Sequence, residues 1–131
     1  MEKKTILLAD DNNSAIEYFQ SRIQPEFVGY AFEFCEDGLA LQSRLKENVD
    51  GIALVVTDNK MPGINGIEII SKYSRQKKFK NTPFILYTID DDDFLPDTAK
   101  KYGAYACVFK ADSEKLILTM REALNGKENI W

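Results

Sequence analysis

Apolar residues in this chain fall into two patterns, short unbroken runs and longer stretches repeating every three or four positions. Unbroken runs rich in β-branched residues and closed by turn formers read as strands buried on both faces. Four occur, Thr5 to Ala9, Ile52 to Thr57, Pro83 to Thr88 and Tyr105 to Phe109, and the partly alternating Tyr30 to Cys35 adds a strand that falls second in the chain. Glu33 gives the second a wetter side and predicts an edge position. Between the runs, helical spacing links Ile16, Phe19 and Ile23; Leu41 and Leu45; Ile67, Ile69, Ile70 and Tyr73; and Leu116, Ile117, Met120 and Leu124. A shorter helix is predicted from about Phe94 to Tyr102. Boundary signals agree with these spans. The cluster from Asp10 to Ser14 caps the first helix, which ends before Pro25. Asp37-Gly38 opens the second, which closes near Asn48. Gly103 suits a left-handed cap after the fourth. Asp112 or Ser113 starts the fifth, Asn125-Gly126 ends it, and residues 126–131 are expected to fray.

Five strands alternating with five helices predict an α/β fold, a doubly wound, flavodoxin-like parallel sheet of order 2-1-3-4-5 with helices on both faces. One domain over residues 1–131, with its core at about 5–125, accommodates all of it. The carboxyl ends of strands one and three meet at the switch point, where such sheets bind ligands. Those ends carry Asp10, Asp11 and Asp58, and Thr88 and Lys110 end the next two strands. Cys35 and Cys107 fall on opposite edges, roughly 19 Å apart, too far for a disulfide, and read as buried thiols.

Composition narrows the chemistry. With 44% hydrophobic and 29% charged residues, the 131-residue chain is ordinary globular material, and its net charge of −4 argues against direct nucleic-acid binding. No apolar stretch has the length of a membrane span, and the first residues do not form a signal peptide, so a cytoplasmic location is expected. The absence of histidine removes the commonest general base and zinc ligand.

Three carboxylates at one crevice repel one another unless one is protonated or a cation is recruited. Oxygen donors with room for water suit magnesium. Each residue alone has an ordinary explanation: a helix cap, a turn former, a surface lysine. Together at successive strand ends, the acids, the Thr88 hydroxyl and the Lys110 ammonium make a receptor for a phosphoryl group.

From Ile6 to about Leu124 the sequence resembles the receiver domain of two-component response regulators. The resemblance rests on Leu7-Leu8-Ala9-Asp10-Asp11, on Val56-Thr57-Asp58 through Met61-Pro62-Gly63 to Asn65-Gly66, on Tyr87-Thr88, and on Gly103-Ala104 leading to Lys110. It implies that Asp58 is the phosphoacceptor for a histidine kinase or phosphotransfer protein. Asp10, Asp11, Asp58 and the Lys60 main-chain carbonyl would hold Mg2+, Thr88 would be the switch hydroxyl, and Lys110 would pair with the phosphoryl group. The readout would be the surface of helix four, strand five and helix five, offered to a downstream effector or output domain, with homodimerisation on phosphorylation a further expectation. No separate substrate turnover is implied. No output element is legible in the chain, which is free-standing or cut from a longer regulator.

The sequence departs from that family at three places. Cys107 stands where an aromatic is usual, with Tyr105 on the same face one pleat away by strand period. Ile89 replaces a small residue and is expected to narrow the approach to Asp58. Ala111 replaces a proline, and a cis Lys110–Ala111 bond is expected so that Lys110 can aim at Asp58. Lys60 and Asp90 are expected to pair across the site's entrance, while Phe94 and Leu95 face either a partner or the core. These departures keep a rival reading open, a degenerate receiver acting as a constitutive interaction module. A flavin carrier or aspartyl phosphatase is a further rival, although Lys60 stands where the phosphatase would want its second carboxylate.

Overall fold

The computed structural model describes residues 3–47 and 49–129. Its elements, in chain order, are β1 (Thr5–Ala9), α1 (Asn13–Tyr18), β2 (Ala31–Cys35), α2 (Gly38–Lys46), β3 (Ile52–Thr57), α3 (Gly66–Tyr73), β4 (Phe84–Thr88), α4 (Leu95–Tyr102), β5 (Ala106–Phe109) and α5 (Ser113–Leu124). All strand pairs are parallel, in the order β2-β1-β3-β4-β5, as the alternation of runs and helices predicts. Among the described residues no helix is long and apolar enough to cross a membrane.

Period-two alternation divides the strand residues between two cores. Ile6, Leu8, Leu54, Val56, Ile85 and Val108 pack against Phe19 and Ile23, just beyond α1, and Leu116, Ile117 and Met120 of α5. Leu7, Ala9, Val55, Phe84, Leu86 and Cys107 face Leu41 and Leu45 of α2, Ile69 and Ile70 of α3, and Leu95 and Ala99 of α4. Burying a single such aliphatic side chain contributes about 1.5–3 kcal/mol, so the two layers fix the sheet's register.

The starts predicted for the first, second and fifth helices carry side-chain caps, and α3 has one at Asn65 that the sequence reading did not name. Asn12, Asp37, Asn65 and Asp112 each accept a backbone N–H from the first turn of α1, α2, α3 and α5. The start of α4 has no side-chain cap. Instead, Asp90 and Asp92 accept the N–H groups of Asp92 and Phe94 in successive local turns. Gly103 is left-handed after α4, with φ 103°.

Several expectations need correction. The first helix is not uniform: α1 passes into a π-turn over Phe19–Ile23 and a 3-10 turn over Gln24–Glu26. Phe19 and Ile23 are both buried within this turn. In α5, Ala123 is buried and Leu124 only partly so. The tail does not fray before Asn129: Tyr105 Oη donates to the Lys127 carbonyl at 2.6 Å, and Asn129 Nδ2 donates to the Tyr105 carbonyl at 2.7 Å. Ile130, Trp131 and the predicted helix end at Asn48 lie outside the described residues. Tyr105 also does not share a face with Cys107. It precedes β5, where the strand alternation does not yet hold, and packs on the α1/α5 layer while Cys107 packs on the other.

Candidate functional site

Backbone ladders carry the sheet one residue past the assigned strand ends and so align the acids. Asp10 N–H donates to Cys35 O at 3.1 Å, Asp58 N–H to Ala9 O at 2.9 Å, and Lys110 N–H to Thr88 O at 2.9 Å. Residues from β1, β3 and β5 are thereby set on one rim by main-chain geometry alone. No cis peptide bond occurs among the described residues, so the expected cis bond at Ala111 is absent. The lysine needs none, because the β5 ladder already aims it at the acids.

The resulting cluster is compact. Single carboxylate oxygens of Asp10, Asp11 and Asp58 all lie within 4.8 Å of one another. Lys110 Nζ donates to Asp10 Oδ2 at 2.5 Å and to Asp58 Oδ2 at 3.2 Å. Backbone amides hold the other oxygens: Asn12 N–H donates to Asp10 Oδ1 at 3.0 Å, and Asn59 N–H to Asp58 Oδ1 at 2.7 Å. Asp10 is 3% exposed and Asp58 8%, yet Asp58 borders an open cleft of about 480 Å³. Asp11, Asn12, Lys60, Thr88, Ile89, Asp90 and Lys110 line it too.

Burial raises the Asp10 carboxyl above the ordinary carboxylate range, although the Lys110 ammonium and the Asn12 amide pull the other way. Burial disfavours the Lys110 ammonium, but the hydrogen bond to Asp10 and the charges of Asp58 and Asp10 outweigh it and raise that group overall. The ammonium also lies 6.0 Å from the Tyr87 ring centroid. A tight carboxylate cluster with one internal lysine therefore carries excess negative charge. Hard oxygen donors in this number suit a divalent cation such as magnesium.

Thr88 is 1% exposed, and its Oγ1 accepts the Asp90 N–H at 3.1 Å, tying it to the loop before α4. Lys60 Nζ stands 3.6 Å from Asp90 Oδ2 across the cleft mouth, as expected for opposite charges at those positions. Ile89 is 80% exposed at the same mouth, Phe94 is 75% exposed, and Leu95 is buried in the core.

Two supports escaped the sequence reading. Asn59 anchors Asp58 through its amide and also ties the following loop, since its Oδ1 accepts Ile67 N–H and its carbonyl accepts Gly66 N–H. Its place directly after the strand-ending Asp58 was the available signal. Gly66 packs on Asp58 itself: a Cβ there would lie 2.1 Å from the Asp58 carbonyl oxygen.

Comparison with known proteins follows the same lines. The sequence profile of the response regulator receiver domain matches residues 6–121. The transcriptional regulatory protein YkoG of Bacillus subtilis is 31% identical over 127 residues, and the match covers 95% of this chain but 52% of that protein, about half its length. Chemotaxis protein CheY1 of Helicobacter pylori is 27% identical over 124 residues, covering 92% of this chain and 96% of CheY1. Among solved structures, the signal receiver domain of an HD domain-containing protein from Pseudomonas fluorescens Pf-5 superposes with a TM-score of 0.81 at 25% identity, covering 95% and 97% of the two chains. The Vibrio cholerae chemotaxis response regulator CheY4 shares the fold, with a TM-score of 0.78 at 22% identity over 93% and 99% of the chains.

Proposed function

The chain belongs to the response regulator receiver domain family of two-component signalling systems, and from that premise we propose that it accepts a phosphoryl group on Asp58. Receivers are signalling domains that interact with histidine kinases or phosphotransfer proteins, and the donor here is a phosphohistidine on such a partner. The observation that carries the reading is the Lys110 ammonium shared between Asp10 and Asp58 beside the exposed Asp11 carboxylate.

In the proposed transfer, one Asp58 carboxylate oxygen attacks the phosphorus and the phosphorus–nitrogen bond to histidine breaks, leaving an acyl phosphate on Asp58. The Asn59 amide fixes the other carboxylate oxygen and orients the attack. Lys110 then turns from a bridge between carboxylates to a partner of the phosphoryl oxygens. Asp10, Asp11, Asp58 and the Lys60 main-chain carbonyl would hold a magnesium ion, which when bound supplies charge neutralisation at the phosphoryl oxygens. Thr88 leaves the Asp90 amide for the phosphate and so shifts the loop before α4, biasing the α4–β5–α5 surface toward an effector, an output domain or a second copy. Residues 5–125 act as one receiver unit in the cytoplasm.

Beryllofluoride with magnesium tests this directly. Bound fluoride and amide shifts near Thr88 are expected in the native chain and absent in Asp58→Asn. Shifts that persist in Asp58→Asn would place the binding elsewhere and overturn the assignment of Asp58, whereas no response in the native chain would favour a constitutive interaction module, the reading that Ile89, Cys107 and Ala111 support.

A further inference from the structure

The sheet has two chemically opposite ends. No acid occurs between residues 69 and 89, a span holding Lys72, Arg75, Lys77, Lys78 and Lys80, and Lys100 and Lys101 close α4. The fold brings these segments together, because Arg75 Nη2 donates to the Lys101 carbonyl at 2.6 Å and Ser74 Oγ to the Tyr102 carbonyl at 3.0 Å. All seven side chains are exposed, and none makes an ion pair among the described residues. Three ammonium groups rest over aromatic rings: Lys72 over Tyr73 at 5.8 Å, Lys78 over Phe79 at 5.4 Å and Lys101 over Tyr102 at 5.7 Å. Such contacts hold cations in place without neutralising them.

Beside the patch lies a cleft of about 530 Å³ at the amino ends of β4 and β5, bordered by Lys80, Asn81, Thr82 and Tyr105 and walled by the tail at Lys127 and Asn129. The tail also contributes Glu128 to the lining. The hydrogen bonds of the tail to Tyr105 fix that wall. Complementing the helix dipoles accounts for Lys72, Lys100 and Lys101 in the last turns of α3 and α4. It does not account for Arg75, Lys77, Lys78 and Lys80, which lie beyond the helix.

We propose that this basic patch and its cleft are a docking site for a short acidic segment of a partner protein, at the opposite end of the sheet from the carboxylate cluster. Charge distribution selects that occupant. With Lys127 and Glu128 of the cleft included, the site holds eight of the 17 Lys and Arg residues and one of the 21 acids, leaving nine against 20 elsewhere, a net charge of −11. A nucleic-acid duplex, with a charge about every 1.7 Å along its axis, would carry its phosphates past the patch onto that acidic remainder. A segment of a few Asp and Glu residues ends where the patch ends. Complementary fields of this kind act within a screening length of about 8 Å at physiological salt, so the segment must seat on the surface.

The test is fluorescence anisotropy at about 0.15 M ionic strength, using a labelled peptide of alternating Asp and Glu and, separately, a labelled DNA duplex. The native chain is expected to bind the peptide more tightly than the duplex. The triple variant Lys77→Glu, Lys78→Glu, Lys80→Glu is expected to weaken peptide binding about tenfold or more, and the double variant Lys46→Glu, Lys115→Glu to change it less than twofold. A thermal melt confirms that each variant folds, and beryllofluoride binding at Asp58 is unaffected in both, which separates this site from the phosphoryl site. No peptide binding, equal loss in both variants, tighter binding of the duplex, or self-association abolished by the triple variant would each overturn the proposal.

Discussion

Lys110 Nζ stands 2.5 Å from Asp10 Oδ2 and 3.2 Å from Asp58 Oδ2, so one ammonium ties the carboxyl end of β5 to those of β1 and β3. The bridge to Asp10 spans 100 residues of sequence and is largely shielded from solvent, with the Asp10 side chain 4% exposed and the Lys110 side chain 15%. It makes the site's charge balance part of the stability of the fold.

Removing that ammonium leaves two buried carboxylates without their cation. Lys110→Ala is expected to lower stability by about 3 kcal/mol in the absence of magnesium, the scale for deleting one partner of a buried pair. Urea unfolding in EDTA measures it. Added magnesium is expected to restore part of the loss, and a change below about 1 kcal/mol under both conditions would contradict the bridge's role.

The raised Asp10 carboxyl sets a pH dependence with a defined sign. Below the ordinary value of 3.8 both folded and unfolded chains hold the proton. Between that value and the raised folded one, the unfolded chain ionises first, so stability falls as pH rises through the window. Asp10→Asn removes this fall, so the variant's stability in metal-free buffer is expected to stay flatter than the native chain's as pH rises above 3.8. Parallel pH profiles of native and variant unfolding would refute it.

The Lys60–Asp90 pair at 3.6 Å bridges the cleft mouth, with Lys60 largely in solvent. An exposed pair contributes about 0–1 kcal/mol, so Lys60→Ala is expected to leave stability almost unchanged. It is expected to shorten the life of the aspartyl phosphate about threefold by widening the path for water, a barrier change of about 0.65 kcal/mol. The decay of radiolabelled phosphoprotein provides the measurement, and an unaltered lifetime would remove the pair from the mechanism.

Ile89 occupies the same mouth, and its branched side chain is 80% exposed there. Labelling by acetyl phosphate is expected to run several-fold faster in Ile89→Ala. Equal rates in the two proteins would show that the isoleucine does not obstruct small donors.

Burial pushes both cysteine thiols up to about 11 from the ordinary 9.0. Cys35 and Cys107 are therefore expected to resist iodoacetamide at pH 8 in the folded protein and to react once urea is added. Since the unfolded thiols ionise first, stability is full below pH 9 and falls between about pH 9 and 11. Rapid native-state alkylation at pH 8 would overturn the assignment of both as buried and inert.

Strand order and the gathering of Asp10, Asp11, Asp58, Thr88 and Lys110 were legible because parallel sheets deliver strand ends to one rim, and each run's last residue can be read directly. The Lys60–Asp90 contact was legible for a related reason, since adjacent strands bring their following loops side by side. The π-turn after α1 was not, because Phe19 and Ile23 keep the same spacing in either helix type. The tail's contact with Tyr105 is a long-range hydrogen bond between segments with no pattern of their own. The expected cis bond at Ala111 failed because it assumed that the lysine's aim depends on the loop, whereas the main-chain bond from Lys110 N–H to Thr88 O already sets it.

The missing side-chain cap on α4 has a mechanical consequence. An Asn or Asp cap contributes about 0.5–2 kcal/mol to holding a first turn closed, and its four counterparts are pinned in this way. Of the five α-helices among the described residues, α4 alone starts without that contribution, and its start at Leu95 lies downstream of Thr88. In the proposed switch, the pull of a phosphate on Thr88 therefore reaches the one α-helical start among the described residues that no side chain clamps.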